Sequence, residues 1–354
     1  MASEFHVVWK DENAPEYYLN AANLSAVSPH LLHICKELLV AAKDSKNKLM
    51  LLGNSAFKLI QGGVHKLYGI NDSIEFNPAE YLDTGESLIA GTDYYVYMVV
   101  NEDDTASIVV SLNDTYPDGA TVESSRLIGG FHTLCADVAL AQEPTHALYE
   151  FLAGNVLPMS VWDLLKRPKT CKPQGMVLDV KTGMWVDIYN QSGTGENTKS
   201  VFNGVVTNSR SWDSHVEDFL AVGKRMLKDH EFTSAALGTI PYRVVLGEVD
   251  PITTGGKVNT DNMRIISDIG CEDMVGCYWQ WIDADAAVHT GEDWVDTEPD
   301  DQGKVYQIPG KLMAGGDWVE TERVGARCRV GIRVRSYLYG NCTSRGCAES
   351  LTVI

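Results

Sequence analysis

From Arg327 onward the chain alternates residue by residue. Arg327, Arg329, Arg333 and Arg335 share one parity with Gly331, while Cys328, Val330, Ile332 and Val334 take the other. Successive side chains on a strand point to opposite faces, so this spacing predicts a β-strand with an apolar inner face and a guanidinium-lined outer one. The run lies in a stretch, Lys311 to Cys347, that holds seven Lys and Arg against three acidic residues, inside a chain of formal net charge −19. Two readings of the Arg face stand side by side. One is a solvated strand surface whose charges discourage edge-to-edge pairing. The other is a recognition surface, because Arg and Tyr are favoured at binding hot spots and an Arg fork matches a carboxylate or phosphate. Trp318, Tyr337 and Tyr339 flank the run and tilt the reading toward binding.

A chain of 354 residues is too long for one small core and suits two domains. Hydrophobic residues at 44% and charged ones at 22% exclude a disordered composition. No apolar run reaches the ~20 residues a membrane-spanning helix needs, so membrane insertion is not expected. The start, MASEFHVVWKDENAPEYY, lacks a basic region followed by an apolar core, so no secretory signal is read there. The acidic excess argues against nucleic acid as a partner, since binding to phosphate backbones depends on neutralising them with Lys and Arg. Eight cysteines, six of them after residue 170, leave room for one or two bridges; buried thiols are the default for a chain made in a reducing cytoplasm.

Along the chain, Ser28 and Pro29 read as the cap and first position of a helix carrying Leu31, Leu32, Cys35, Leu38, Leu39 and Ala42 on one stripe. SIEFNPAEYL, TDYYVYMVVN and ASIVVSLN read as strands, and Val64 to His132 as a β-domain of antiparallel hairpins. HALYEFLAG reads as a short helix, GMVLDVKTGMWVDIYN as two strands around Lys181-Thr182-Gly183, SRSWDSHVEDFLAVGKRML as an amphipathic helix, and HEFTSAALG as a second one. Trp162, Trp185, Trp212 and Trp279 are expected in the core, and Trp281 in either the core or a groove. The expected class is α+β, with an N-terminal helical or attachment segment at 1–63, a β-rich stem at 64–141, and a ligand-binding domain at 142–354.

Motifs for chemistry are weak. GTGENTKS, Gly193 to Ser200, has Thr198 where a phosphate-binding loop needs glycine. Asp293, Asp296, Glu298, Asp300 and Asp301 offer the hard oxygens calcium takes, but their spacing fits no EF-hand. The cysteine spacings lack the tight pairs and His partners of structural zinc. None of His132, His146, His215, His230 and His289 lies in a nucleophile motif. No cofactor, metal or catalytic residue is assigned, and an enzyme is not expected.

Several segments then carry a family likeness: NVLPMSVWDLLKRP, GMVLDVKTGMWVDIY, HEFTSAALG, MRIISDIGCEDMVGCYWQW, LMAGGDW, GARCR and SRGCAESL. In this order they resemble the C-type-lectin-like domain of bacteriophage receptor-binding proteins of the major tropism determinant type, which shares its fold with formylglycine-generating enzymes. The likeness covers about residues 142–354, and GTDYYVYM and SRLIGGFHT resemble the β-rich domains that precede this module. It implies that Gly315, Gly316 and Trp318 build a tight turn and a buried anchor, and that Gly325 and Arg327 hold the scaffold. Arg345, Gly346 and Cys347 would lead into a last strand pairing with the one that starts near Met176. It further implies an exposed variable-type face made of Asp317, Val319, Glu320, Thr321, Glu322, Arg323, Arg329, Gly331, Arg333, Arg335, Tyr337 and Tyr339, with Trp318 adding contact area. The function implied is a virion adhesin, a homotrimer held among other virion proteins, that binds a host-surface protein or glycan noncovalently. A capsid, collar or tail decoration protein is the alternative. An oxidase of the formylglycine-generating type stands third, with no match for its Cys pair at Cys328 and Cys342.

Overall fold

The strand pattern of the N-terminal half pairs off into antiparallel sheets. The computed structural model describes residues 31–33, 37–138, 143–288, 295–296, 304–305, 308–321 and 323–351. Leu31–His33 (β1), Leu39–Ala41 (β2), Leu49–Leu51 (β3), Ser55–Gln61 (β4), Val64–Ile70 (β5) and Ile74–Phe76 (β6) form two three-stranded sheets, ordered β1-β4-β5 and β2-β3-β6. Asp93–Val100 (β7), Ala106–Ser111 (β8), Ser125–His132 (β9) and Trp162–Asp163 (β10) form a third sheet, ordered β10-β9-β7-β8. Their inward side chains, among them Leu39, Leu51, Phe57, Val96, Val110 and Phe131, make one core.

Among the described residues of the expected Leu31–Ala42 helix, Leu31–His33 and Leu39–Ala41 are the strands β1 and β2 instead. Ser28, Pro29 and Cys35 lie outside the described residues. The cause is tertiary. Asp163, itself fully buried, accepts hydrogen bonds at Oδ2 from the amides of Leu38 (2.6 Å) and Leu39 (3.1 Å), and at Oδ1 from those of Leu165 and Lys166 (both 2.7 Å). Amides drawn to that carboxylate are not available to a helical ladder, and the periodicity of the leucines is overridden.

Two further expectations change for local reasons. HALYEFLAG is a run of turns closed by i to i−3 bonds at Tyr149 and Phe151, with Glu150 at φ +62°. There the buried His146 ring accepts from the Leu148 amide (3.1 Å) and donates to the Ile266 carbonyl (3.2 Å), competing with the backbone pattern a helix needs. SIEFNPAEYL is a strand only as far as Phe76; Asn77 then caps a 3₁₀ turn at Pro78–Tyr81. The expected border at 63/64 falls in the two-residue turn of the β4/β5 hairpin, where Gln61 pairs with Val64.

Toward the C-terminus the strands are Met176–Asp179 (β11), Met184–Asp187 (β12), Arg225–Met226 (β13), Trp279–Val288 (β14), Val295–Asp296 (β15), Lys304–Val305 (β16), Ile308–Gly315 (β17), Gly325–Val334 (β18), Cys342–Ser344 (β19) and Gly346–Glu349 (β20). β15 and β16 pair with each other. β11 and β12 form the expected hairpin. The last strand, however, pairs with β12 and β13, not with β11. All four residues of β12 are buried, so it takes an inner place in the order β11-β12-β20-β13 and leaves β11 at the edge. The two α-helices among the described residues are Trp212–Ala221, capped by Ser211 through the Ser214 amide (3.1 Å), and Asp229–Ala235. At ten and seven residues they are minor elements, so the chain is β-rich.

Trp185 and Trp281 are fully buried and Trp162 and Trp279 nearly so, whereas Trp212 is only partly buried and Leu220 of the same helix is exposed. All seven described cysteines are free thiols. Tyr95, Tyr97 and Trp162 pack with Met176, Trp185 and Ala348, which joins the N-terminal sheets to the C-terminal half.

Candidate functional site

The sheet that carries the candidate face has the order β18-β17-β14-β19, with β18 at its edge. Lys311 pairs with Arg333 but Met313 with Val330, so two steps along β17 oppose three along β18. That extra residue is a β-bulge at Gly331–Ile332, and a bulge resets which face the following side chains take. Before it, Cys328 and Val330 pack on Phe219, Trp281 and Met313, as the alternation predicts. After it the parity fails. Ile332, expected inside, is 62% exposed.

The arginines divide accordingly. Arg329 lies over the Phe232 ring at 5.0 Å; its Nε donates to the Asp229 carboxylate (2.5 Å) and its Nη2 to Thr233 Oγ1 (2.7 Å). Arg335 grips the Asp213 carboxylate, with Nε at 2.7 and 2.8 Å from the two oxygens. This pairing raises the Arg335 pKa, chiefly through the hydrogen bond with Asp213. Arg335 also stands 5.3 Å from the Trp212 ring, over which Lys311 sits at 4.0 Å. Arg329 and Arg335 are therefore clasped by carboxylates of the two helices, although their side chains keep 18% and 57% of their exposure. The acidic stretch from Asp283 engages Lys311 instead, through Asp285 at 2.7 Å. Arg333 differs: its guanidinium stacks on Tyr337 at 4.4 Å and makes no ion pair among the described residues. Arg327, assigned to the scaffold by resemblance, is exposed.

The turn before β18 mixes buried and exposed positions. Glycine is required at its start: Gly315 and Gly316 hold φ +92° and +86°, and a Cβ would come within 2.6 Å of the Met274 carbonyl oxygen and of Val324 Cγ1, respectively. Asp317 is fully buried and accepts from the Val319 amide (3.1 Å), Asn341 Nδ2 (2.9 Å) and the Tyr339 hydroxyl (3.4 Å). Burial pushes its carboxyl up against the opposing pull of those donors. It braces the turn from inside. Trp318 is the expected anchor, edge-on to Tyr278 at 4.9 Å. Val319, Thr321 and Arg323 are exposed, and Arg323 pairs loosely with Glu320 at 3.6 Å. Glu322 lies outside the described residues. Tyr337 and Tyr339 stand 5.9 Å apart with rings tilted by 35°. Between them Leu338 is 63% exposed. The reading of the alternation missed Ile332 and Leu338; Gly331, a residue common at bulges, was the available signal.

The other motifs resolve without chemistry. In GTGENTKS a 3₁₀ turn, Gly195–Asn197, is held by the Asp218 carboxylate on the Gly195 amide (2.8 Å), and a carboxylate there repels phosphate. The described residues include no cluster of His, Cys, Asp and Glu suited to a metal. Asp293, Glu298, Asp300 and Asp301 lie outside them, as does the side chain of Asp296. A cleft of about 1050 Å³ is lined by residues such as Lys46, Phe151, Met159 and Val180, and by none of the candidate face. No described helix is long and apolar enough to cross a membrane.

Comparison with known proteins agrees with this architecture. Residues 39–163 match the family described as the Mtd second domain. Among solved structures, the Major Tropism Determinant M1 variant aligns at a TM-score of 0.74 and 23% identity, over 92% of this chain and 86% of that one. The U1 variant aligns at 0.73 and 22% identity, over 91% and 86%. The P3c variant gives the same four values as U1. No curated protein matches in sequence. The chain is thus of the major tropism determinant type in fold, as the likeness of its motifs implied.

Proposed function

Proceeding from a chain with the fold of phage tropism determinants, we propose that it is a virion adhesin that attaches the particle to the host surface noncovalently. The segment 142–354 would be a C-type-lectin-like module presenting the ligand face. The β-rich part before it would serve assembly with other virion proteins, and the working form would be a homotrimer, since several linked copies of one shallow face gain avidity.

The observation that carries this reading is the exposed edge of β18. There, Ile332 and, in the turn after the strand, Leu338 are exposed aliphatic groups, and Arg333 stacks on Tyr337. Isolated exposed aliphatics are ordinary, but here three features of a binding hot spot coincide on a braced edge: apolar anchors, a stacked guanidinium, and tyrosines. Arg333 would pair with an acidic group, while Arg329 and Arg335 position the strand. Exposed aliphatics favour a protein ligand over a glycan, because sugars present mainly hydroxyl groups.

Two substitutions test the face: Ile332→Asp and Arg333→Ser. Each is expected to weaken binding of the purified protein to intact cells of the strain the particle infects by about tenfold or more, with little change in thermal stability. Shaving those cells with protease should abolish binding, and periodate oxidation of their glycans should not. Undiminished binding by both variants would refute the face and leave the decoration reading.

A further inference from the structure

Tyr242 lies some eighty residues before the face in sequence but against it in space. Its amide donates to the Val324 carbonyl at 3.0 Å, and Val324 directly precedes β18 and follows the turn in which Val319, Thr321 and Arg323 are exposed. The neighbouring Pro241 borders Gly325, the first residue of β18, whose Cβ, if it had one, would sit 3.4 Å from the proline ring carbon. On the other side, Arg243 Nη1 donates to the Tyr242 carbonyl (2.8 Å) while its Nε is held by Asp261. The segment is therefore buttressed on both sides.

Two properties of Tyr242 are unexpected in a purely structural residue. It adopts φ +62°, a left-handed conformation that bulky side chains rarely take and that glycine or asparagine takes readily. Its side chain nevertheless does nothing for the interior: the residue is 62% exposed, and its hydroxyl has no partner among the described residues. A tyrosine kept at an unfavourable backbone position, with its ring in solvent beside a candidate binding edge, is the pattern of local strain retained for recognition.

We propose that Tyr242 is a specificity-determining residue of the ligand face, an inference that rests on the adhesin reading above. It extends the face beyond the 317–339 segment. The tyrosine contributes an apolar ring and an exposed hydroxyl from a backbone position bonded to Val324 at the entry to β18, which suits a protein epitope with an apolar centre and a polar margin.

The test uses Tyr242→Gly and Tyr242→Asn in the full chain, alongside Ile332→Asp. Binding is read on intact cells of the strain the particle infects, and thermal unfolding is read in parallel. Both Tyr242 variants accept a positive φ, so the expected result is a Tm unchanged or higher, with binding weakened about tenfold. If both bind like the parent while Ile332→Asp does not, the inference fails and the adhesin face stands. If all three bind like the parent, the face itself is wrong. Lost binding together with a fall in Tm would make Tyr242 structural and also overturn the proposal.

Discussion

Buried polar side chains decide more of this molecule than its leucines do. Asp163 organises four amides from two distant segments, and Arg345 spends all three of its guanidinium nitrogens inside the chain. Its Nη1 reaches the Asp187 and Ile188 carbonyls (2.7 and 2.5 Å), its Nη2 reaches Asn190 Oδ1 (2.9 Å) and its Nε reaches Gln280 Oε1 (3.2 Å). His215 has a measurable consequence. Gln191 gives its amide hydrogens to Gly193 and Asp218, so its Oε1 is left to accept from His215 Nδ1 (2.6 Å), which must carry the proton of a neutral ring. Burial above all drives this imidazole down to about 3; Asp218 opposes the shift and Arg210 adds to it. The unfolded chain takes up that proton near pH 6.5. Stability from His215 is therefore complete above about 6.5 and is lost as the pH falls toward 3. Asp273 acts in the opposite sense: burial, then the charge of Glu272, lifts its carboxyl to about 6, so its contribution is present in acid and lost as the pH rises through that value. Thermal unfolding from pH 4 to 8 should show His215→Gln losing less stability below pH 6.5 than the parent. Equal acid slopes would contradict this account.

At the level of the element, β18 shows how one inserted residue reassigns a surface. Strict alternation puts every arginine on one face, and the bulge gives the Asp229–Ala235 helix Arg329 and the Trp212–Ala221 helix Arg335. Gly331 sits at this point because there is no room for more: a Cβ would lie 2.8 Å from Ala286 Cβ and 2.9 Å from Leu312 Cδ2. Gly331→Val should therefore cost about 1–3 kcal/mol in urea unfolding. It should also weaken cell binding by displacing Ile332. A stable variant with normal binding would show that the bulge does not depend on the glycine. The strand itself was legible from β-branched residues at period two. The bulge was not, because it arises from the different paths of β17 and β18, and a sequence shows only one of them.

For the molecule as a whole, the joint between its halves is the telling feature. Tyr95 meets Trp162 edge-on at 6.2 Å, and Trp185, Met176 and Ala348 complete that cluster. Nearby, His132 bridges Asp93 (2.9 Å) and the Tyr189 hydroxyl (3.0 Å), and Asp93 also accepts from the Gly175 amide (3.0 Å). Halves joined by a shared aromatic core and a buried polar chain should unfold together. Calorimetry is expected to give one transition, and Trp185→Ala, costing about 3–5 kcal/mol, should lower the stability of both halves at once. Two separate transitions in the parent protein would show the halves to be independent.

Periodicity and turn chemistry were enough to read the β7/β8 hairpin, the β11/β12 pair, both helices after residue 210 and the buried tryptophans at 162, 185 and 279, but not the β4/β5 hairpin, which begins in the segment read as helical. The order of motifs from Asn155 to Leu351 was enough to point to the tropism-determinant fold. Folding in three dimensions settled the rest: strands at Leu31–Ala42, β12 as partner of the last strand, carboxylates for Arg329 and Arg335, and Tyr242 beside β18. The Asp163 bonds to Leu38 and Leu39 and each of the other three rest on a contact between residues about eighty to 165 positions apart, whereas β1 and β2 pair with β4 and β3 nearby in sequence. Local propensity, worth a few tenths of a kcal/mol per residue, yields to a buried carboxylate or a packed strand worth several times more.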